Sequence, residues 1–177
     1  MAKQPTTSSN NIQKILIGLI AVLVLVTVGM KVLNRSADGP ALYSQHFQLY
    51  DLQLSKEAAN PNNRIYQAEQ AYHNGKYEDA LAILQSFIRT QPNATDRLGI
   101  AAACCLLQMG QTAQAVTQLD QAIAKGYGAN KSLAQWYKAL ALLRLGDVAA
   151  AKSIIEPMAV DSYAPNKKQA QELLKQL

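Results

Sequence analysis

From Arg64 to Leu177 apolar residues recur at helical spacing in segments separated by short polar turns, and period-two alternation is missing. Alanine and leucine dominate while β-branched residues are sparse, which favours helix over sheet. The periodicity predicts helix pairs over 62–74 with 76–91, 94–109 with 111–125 and 131–145 with 147–160, then a last helix over 166–177. An earlier helix is expected after Asp38, a capping residue with Pro40 in the first turn. Along it Tyr43, Phe47, Tyr50 and Leu54 fall at spacings of four, three and four, forming one apolar stripe that NPNN at 60–63 terminates. The predicted fold class is all-α.

Upstream the pattern changes. ILIGLIAVLVLVTVGM, residues 15–30, carries no charge, and continuing to Leu33 gives 19 residues. At about 1.5 Å per residue this is roughly 28 Å, close to the ~30 Å hydrocarbon thickness of a bilayer. The run is too long and too uniformly apolar for a core helix, and it lacks the small-residue cleavage site of a signal peptide. It predicts a transmembrane helix over 12–34. The expected organisation is thus a disordered polar tail at 1–11, the span at 12–34, a linker with an amphipathic helix at 35–61 and a helical-repeat domain at 62–177.

The helices repeat a phrase. HNGKYEDALAIL at 73–84, QMGQTAQAVTQL at 108–119 and RLGDVAAAKSII at 144–155 each carry a glycine, an alanine five places on and an aliphatic residue four beyond that. Gly75, Gly110 and Gly146 set a period of 35 and then 36 residues. In the first unit Gly75, Tyr77, Ala80, Leu84, Phe87 and Pro92 all fit one pattern; the second keeps Gly110, Ala115, Leu119 and Ala122, and the third Gly146, Ala151, Ile155 and Met158. The period and these residues resemble the tetratricopeptide repeat, a 34-residue helix hairpin. The family's first-helix aromatic and Leu-Gly pair are absent. The resemblance implies a right-handed α-solenoid of about three hairpins over 62–163, closed by a C-terminal capping helix.

Charge and chemistry narrow the function classes. The chain has 17 basic and 12 acidic residues, but Lys3, Lys14, Lys31 and Arg35 flank the apolar run. The remaining sequence is nearly neutral, with no basic stripe, so nucleic-acid binding is not expected. Adjacent Cys104 and Cys105 cannot close an ordinary disulfide on a helix and lack zinc-ligand spacing, so they read as small core residues. The Gly75-Lys76 turn lacks the first glycine and the hydroxyl residue of a phosphate loop, and Glu78 and Asp79 would repel a phosphate. His73 follows Glu69 by four places, a helical pair with no nucleophile beside it. The sequence therefore predicts no enzyme, no cofactor and no metal.

The resemblance implies instead a binding role, with a partner held on the concave face lined by the first helix of each pair. Carried onto this chain, the groove residues are Ile65, Glu69, Tyr72 and His73, then Ile100, Cys104, Leu107 and Gln108, then Trp136, Leu140, Leu143 and Arg144. The set is mostly apolar and lacks the lysine, asparagine and arginine clamp that some family members use for a carboxylate. Two occupants fit it: another protein's peptide or amphipathic helix, or the chain's own Tyr43–Leu54 stripe, which is costly to leave in water. The expected function is a membrane-anchored scaffold for protein–protein interaction in envelope assembly, secretion or signalling; the alternative is a homo-oligomerisation module with the groove buried between copies. Two basic residues lie on each side of the span, so the positive-inside count is a tie. The short tail favours a cytoplasmic N-terminus and repeats in a bacterial periplasm, on a single-pass inner-membrane protein.

Overall fold

In a computed structural model, the structure describes residues 37–53 and 63–177. The polar tail and the apolar span at 12–34 lie outside the described residues, and no described helix is long and apolar enough to cross a membrane. Residues Ala37–Leu177 form one compact unit.

Among the described residues there are eight α helices: α1 (Gly39–His46), α2 (Arg64–His73), α3 (Tyr77–Thr90), α4 (Thr95–Gln108), α5 (Thr112–Lys125), α6 (Gly128–Arg144), α7 (Val148–Val160) and α8 (Lys167–Leu174). Successive helices from α2 to α7 pack as neighbours, giving the three hairpins α2–α3, α4–α5 and α6–α7, and α8 packs on α7. The expected helix pairs and last helix are all present, with ends shifted by a few residues. A 3-10 turn at Pro92–Ala94 joins the first hairpin to the second.

The three glycines close the hairpins in one way. Gly75, Gly110 and Gly146 have φ of 73°, 77° and 81°, a left-handed conformation that side chains disfavour. In each turn the residue after the glycine donates to a carbonyl five positions back: Lys76 to Ala71, Gln111 to Leu106 and Asp147 to Leu142. Each glycine N–H bonds the carbonyl three positions back, completing a Schellman cap that satisfies two open carbonyls. The reversal brings Ala80, Ala115 and Ala151 to the helix crossings, where all three are fully buried. A methyl side chain there lets neighbouring helices approach closely.

One element departs from expectation. Asp38 does cap α1, accepting from the Ala41 amide at 3.2 Å. The helix then ends at His46, and Phe47–Gln53 runs on without helical structure rather than continuing toward Ala59. Tyr43, Phe47 and Tyr50 therefore do not form a single helical stripe, and Leu54 lies outside the described residues. The physical reason lies in what this segment touches.

Candidate functional site: a filled repeat groove

The first helices of the hairpins, α2, α4 and α6, supply the side chains that receive residues 42–53. The α1 helix packs along α6, with Leu42 8% exposed. At its start a Cβ on Gly39 would collide with the Leu143 carbonyl, so only glycine allows this approach. The chain beyond Phe47 then passes from α6 toward α2. Along this path the groove binds alternate main-chain carbonyls. The Tyr137 hydroxyl on α6 donates to the Gln48 carbonyl at 2.9 Å, and the Tyr72 hydroxyl on α2 donates to the Tyr50 carbonyl at 2.9 Å. His73 Nε2 lies 2.9 Å from the Leu52 carbonyl, which can only accept, so this nitrogen carries the proton. On α4, Arg97 donates to the Gln53 carbonyl at 2.8 Å.

This explains the extended backbone. In a helix the carbonyls of residues 48, 50 and 52 would serve hydrogen bonds within the helix itself. Extended, they meet donors on α6 and α2, and the Gln53 carbonyl meets one on α4. Side chains alternate accordingly: Leu52 is fully buried, Tyr50 is half-buried, and Leu49, Asp51 and Gln53 are exposed. The Tyr137 ring makes edge contacts with Phe47 at 6.1 Å and Tyr50 at 6.3 Å between centroids, and Tyr43 stacks on Phe47 at 5.0 Å.

The expected groove residues fall into two groups. Tyr72, Ile100, Cys104, Leu107, Leu140 and Leu143 are fully buried and Trp136 is 4% exposed, so these side chains belong to the core. Ile65 is half-buried, Gln108 is exposed, and His73 keeps 43% of its side chain exposed with Glu69 at 4.0 Å. Arg144 ties three elements together. Its guanidinium donates to the Leu107 carbonyl and to the Tyr43 hydroxyl at 3.2 Å, and lies 4.9 Å from the Tyr43 ring centroid. Sequence reasoning missed Leu42, Leu52, Arg97 and Tyr137. The spacing of Tyr50 and Leu52 by two was the available signal for an extended segment, but it competed with the helical stripe.

Burial dominates the electrostatics beneath the segment. It pushes the Cys104 thiol up to about 12, with smaller opposing effects from the Tyr50 backbone and the Tyr72 side chain. Cys105 is likewise pushed up to about 12 by burial, with a smaller push from Cys104. Burial also raises Tyr72 and Tyr137, keeping both hydroxyls protonated as donors. Tyr43 is raised by burial, with the Arg144 charge opposing. Protonated thiols under this cover are poor nucleophiles.

A smaller polar recess of about 300 Å³ remains between the segment and α8, lined by Gln45, His46, Gln48, Trp136, Asn166 and Glu172 among others. Gln176 Nε2 reaches His46 Nε2 across one side of it, at 3.2 Å.

Comparison with known proteins follows the same helices. Residues 41–122, from α1 through α5, match the family model for anaphase-promoting complex, cyclosome, subunit 3. Residues 100–154, from α4 into α7, match the tetratricopeptide repeat model. No curated protein and no solved structure matches the chain. Proteins of this repeat class are typically non-catalytic adaptors. The paired helices and the two matches together identify a tetratricopeptide repeat region in this chain, of the kind that serves as a scaffold for protein–protein interaction.

Proposed function

We propose that the chain is a membrane-tethered scaffold that holds an extended segment of another protein on the concave side of its repeats. The observation that supports this most is the engagement of residues 48–53 through main-chain carbonyls. Tyr137, Tyr72, His73 and Arg97 donate to groups that any extended polypeptide presents. A groove built this way can accept a foreign chain with the same backbone geometry. Residues 12–34 supply the tether in this reading, because their apolar run matches a bilayer in length. The repeats then face the periplasm of a bacterial envelope, where a tethered adaptor would act in assembly, secretion or signalling.

A photoreactive residue at Gln108, exposed at the end of α4, tests the reading in intact membranes, with one at exposed Glu156 on α7 as control. A discrete protein adduct from position 108 and none from 156 is the expected outcome; equal labelling from both sites would remove the groove from consideration. Sidedness is tested by Ser162→Cys, in an exposed turn, with a membrane-impermeant maleimide. Labelling in intact spheroplasts is expected if the repeats are periplasmic.

A further inference from the structure

We propose that residues 47–53 are a tethered competitor for the repeat groove, and that the partner is a protein whose extended segment repeats their spacing of Phe47, Tyr50 and Leu52. The inference rests on the groove reading above and adds what fills the site when no partner is present and which side-chain pattern displaces it.

The segment is bound as a ligand would be. It lies across side chains from all three hairpins rather than pairing with one neighbour in sequence. The Gln48, Tyr50, Leu52 and Gln53 carbonyls accept from Tyr137, Tyr72, His73 and Arg97, at separations of 22 to 89 residues in the chain for the first two pairs alone. Selectivity is confined to the inward side chains: Leu52 fully buried, and Phe47 and Tyr50 each in edge contact with the Tyr137 ring. The outward residues Leu49, Asp51 and Gln53 are exposed, and the Asp51 carboxylate accepts from Gln53 Nε2 within the segment at 2.7 Å. Nothing in these contacts requires covalent continuity with α1 or α2. A short tether typically presents its ligand at roughly millimolar effective concentration. A free peptide therefore competes poorly with the intact segment and binds readily once the segment is weakened.

Cys104 reports whether the groove is covered. Cys104 is fully buried, and the Tyr50 backbone and the Tyr72 side chain are close enough to influence its thiol. The experiment measures thiol alkylation by N-ethylmaleimide on the full chain in detergent, resolved by peptide mass spectrometry, for the wild type and for Leu52→Asp. Circular dichroism is recorded on the same samples. The proposal expects Cys104 in Leu52→Asp to react at least tenfold faster at unchanged helix content. A synthetic peptide of residues 43–53 added in trans should restore protection, while the same peptide carrying the Leu52→Asp change should not. Tyr50→Gly, which removes a ring but adds no charge, should show a smaller increase of the same kind.

Unchanged protection in both variants would overturn the proposal, because the segment would then not be the removable cover. Loss of helix content together with protection would also overturn it, because the segment would then be an integral part of the fold. Failure of the peptide to restore protection would show that the groove does not recognise the segment as a separable ligand, and would overturn it too. None of these readouts needs the unknown partner, so a failed crosslink from Gln108 would count against the proposed function without deciding this one.

Discussion

Tyr72 does two jobs with one side chain. Its ring is fully buried among the inner helices, and its hydroxyl donates to the Tyr50 carbonyl across 22 residues of sequence. Tyr72→Phe keeps the ring and deprives a part-buried carbonyl of its donor. Such a loss typically costs about 1–3 kcal/mol. The variant should therefore unfold at lower urea, with its slope unchanged. Gly110 presents the opposite case, since nothing lies within 4 Å of where its Cβ would stand. The cost of substitution there is conformational alone, from a φ of 77°. Gly110→Val should lose about 1–2 kcal/mol. Gly110→Asn should lose less, because asparagine tolerates this region. Equal losses in the two variants would show that the turn is limited by space rather than by backbone.

At the scale of elements, α1 is the piece whose seat depends on one close approach. Gly39 meets the Leu143 carbonyl so tightly that any Cβ must displace one backbone or the other. Gly39→Ala should lower stability by about 1–3 kcal/mol, the usual cost of overpacking. Pro40→Ala, one residue on but exposed, should change it little. Paired thermal melts of the two variants check the contrast. The hairpins themselves were legible because their determinants are local: a glycine that reverses the chain, an alanine that lets helices touch, and apolar residues at helical spacing between them. The path after His46 was not legible. Tyr43, Phe47 and Tyr50 suit a helix, while Tyr50 and Leu52 suit an extended chain, and so short a stretch cannot decide between periods. Donors on α2, α4 and α6, separated widely in sequence, made the choice.

For the whole molecule, burial of Cys104 and Cys105 couples stability to alkaline pH. Both thiols move from a reference value of 9.0 to about 12 in the folded chain. Above pH 9 the unfolded chain releases these protons while the folded chain keeps them, so ionisation favours unfolding. Stability is full below 9 and falls as pH rises toward 12, by up to about 1.4 kcal/mol per pH unit for each such group. Tyr72 and Tyr137, also raised by burial from 10.0, steepen the decline above pH 10. Urea midpoints for the wild type and for Cys104→Ala/Cys105→Ala between pH 8 and 10 check this. The double variant starts lower, having lost packing, but its pH slope should be flatter.

The repeat architecture was set by sequence at short range. Three glycines at a period of 35 and 36 residues, each followed by an alanine that packs, specify three helix hairpins, because turn chemistry and helix periodicity act over a few residues. The resemblance to the tetratricopeptide repeat, carried onto these positions, named Tyr72, His73 and Arg144 as groove residues, and all three contact residues 43–52. What occupies the face they line was decided only by tertiary structure. Gln48, Tyr50 and Leu52 are held through their carbonyls, which every residue carries alike, so the apolar stripe could offer this stretch as one occupant but not show the path by which it is held. The groove became visible as a filled site only once α2, α4 and α6 had brought their donors to one path.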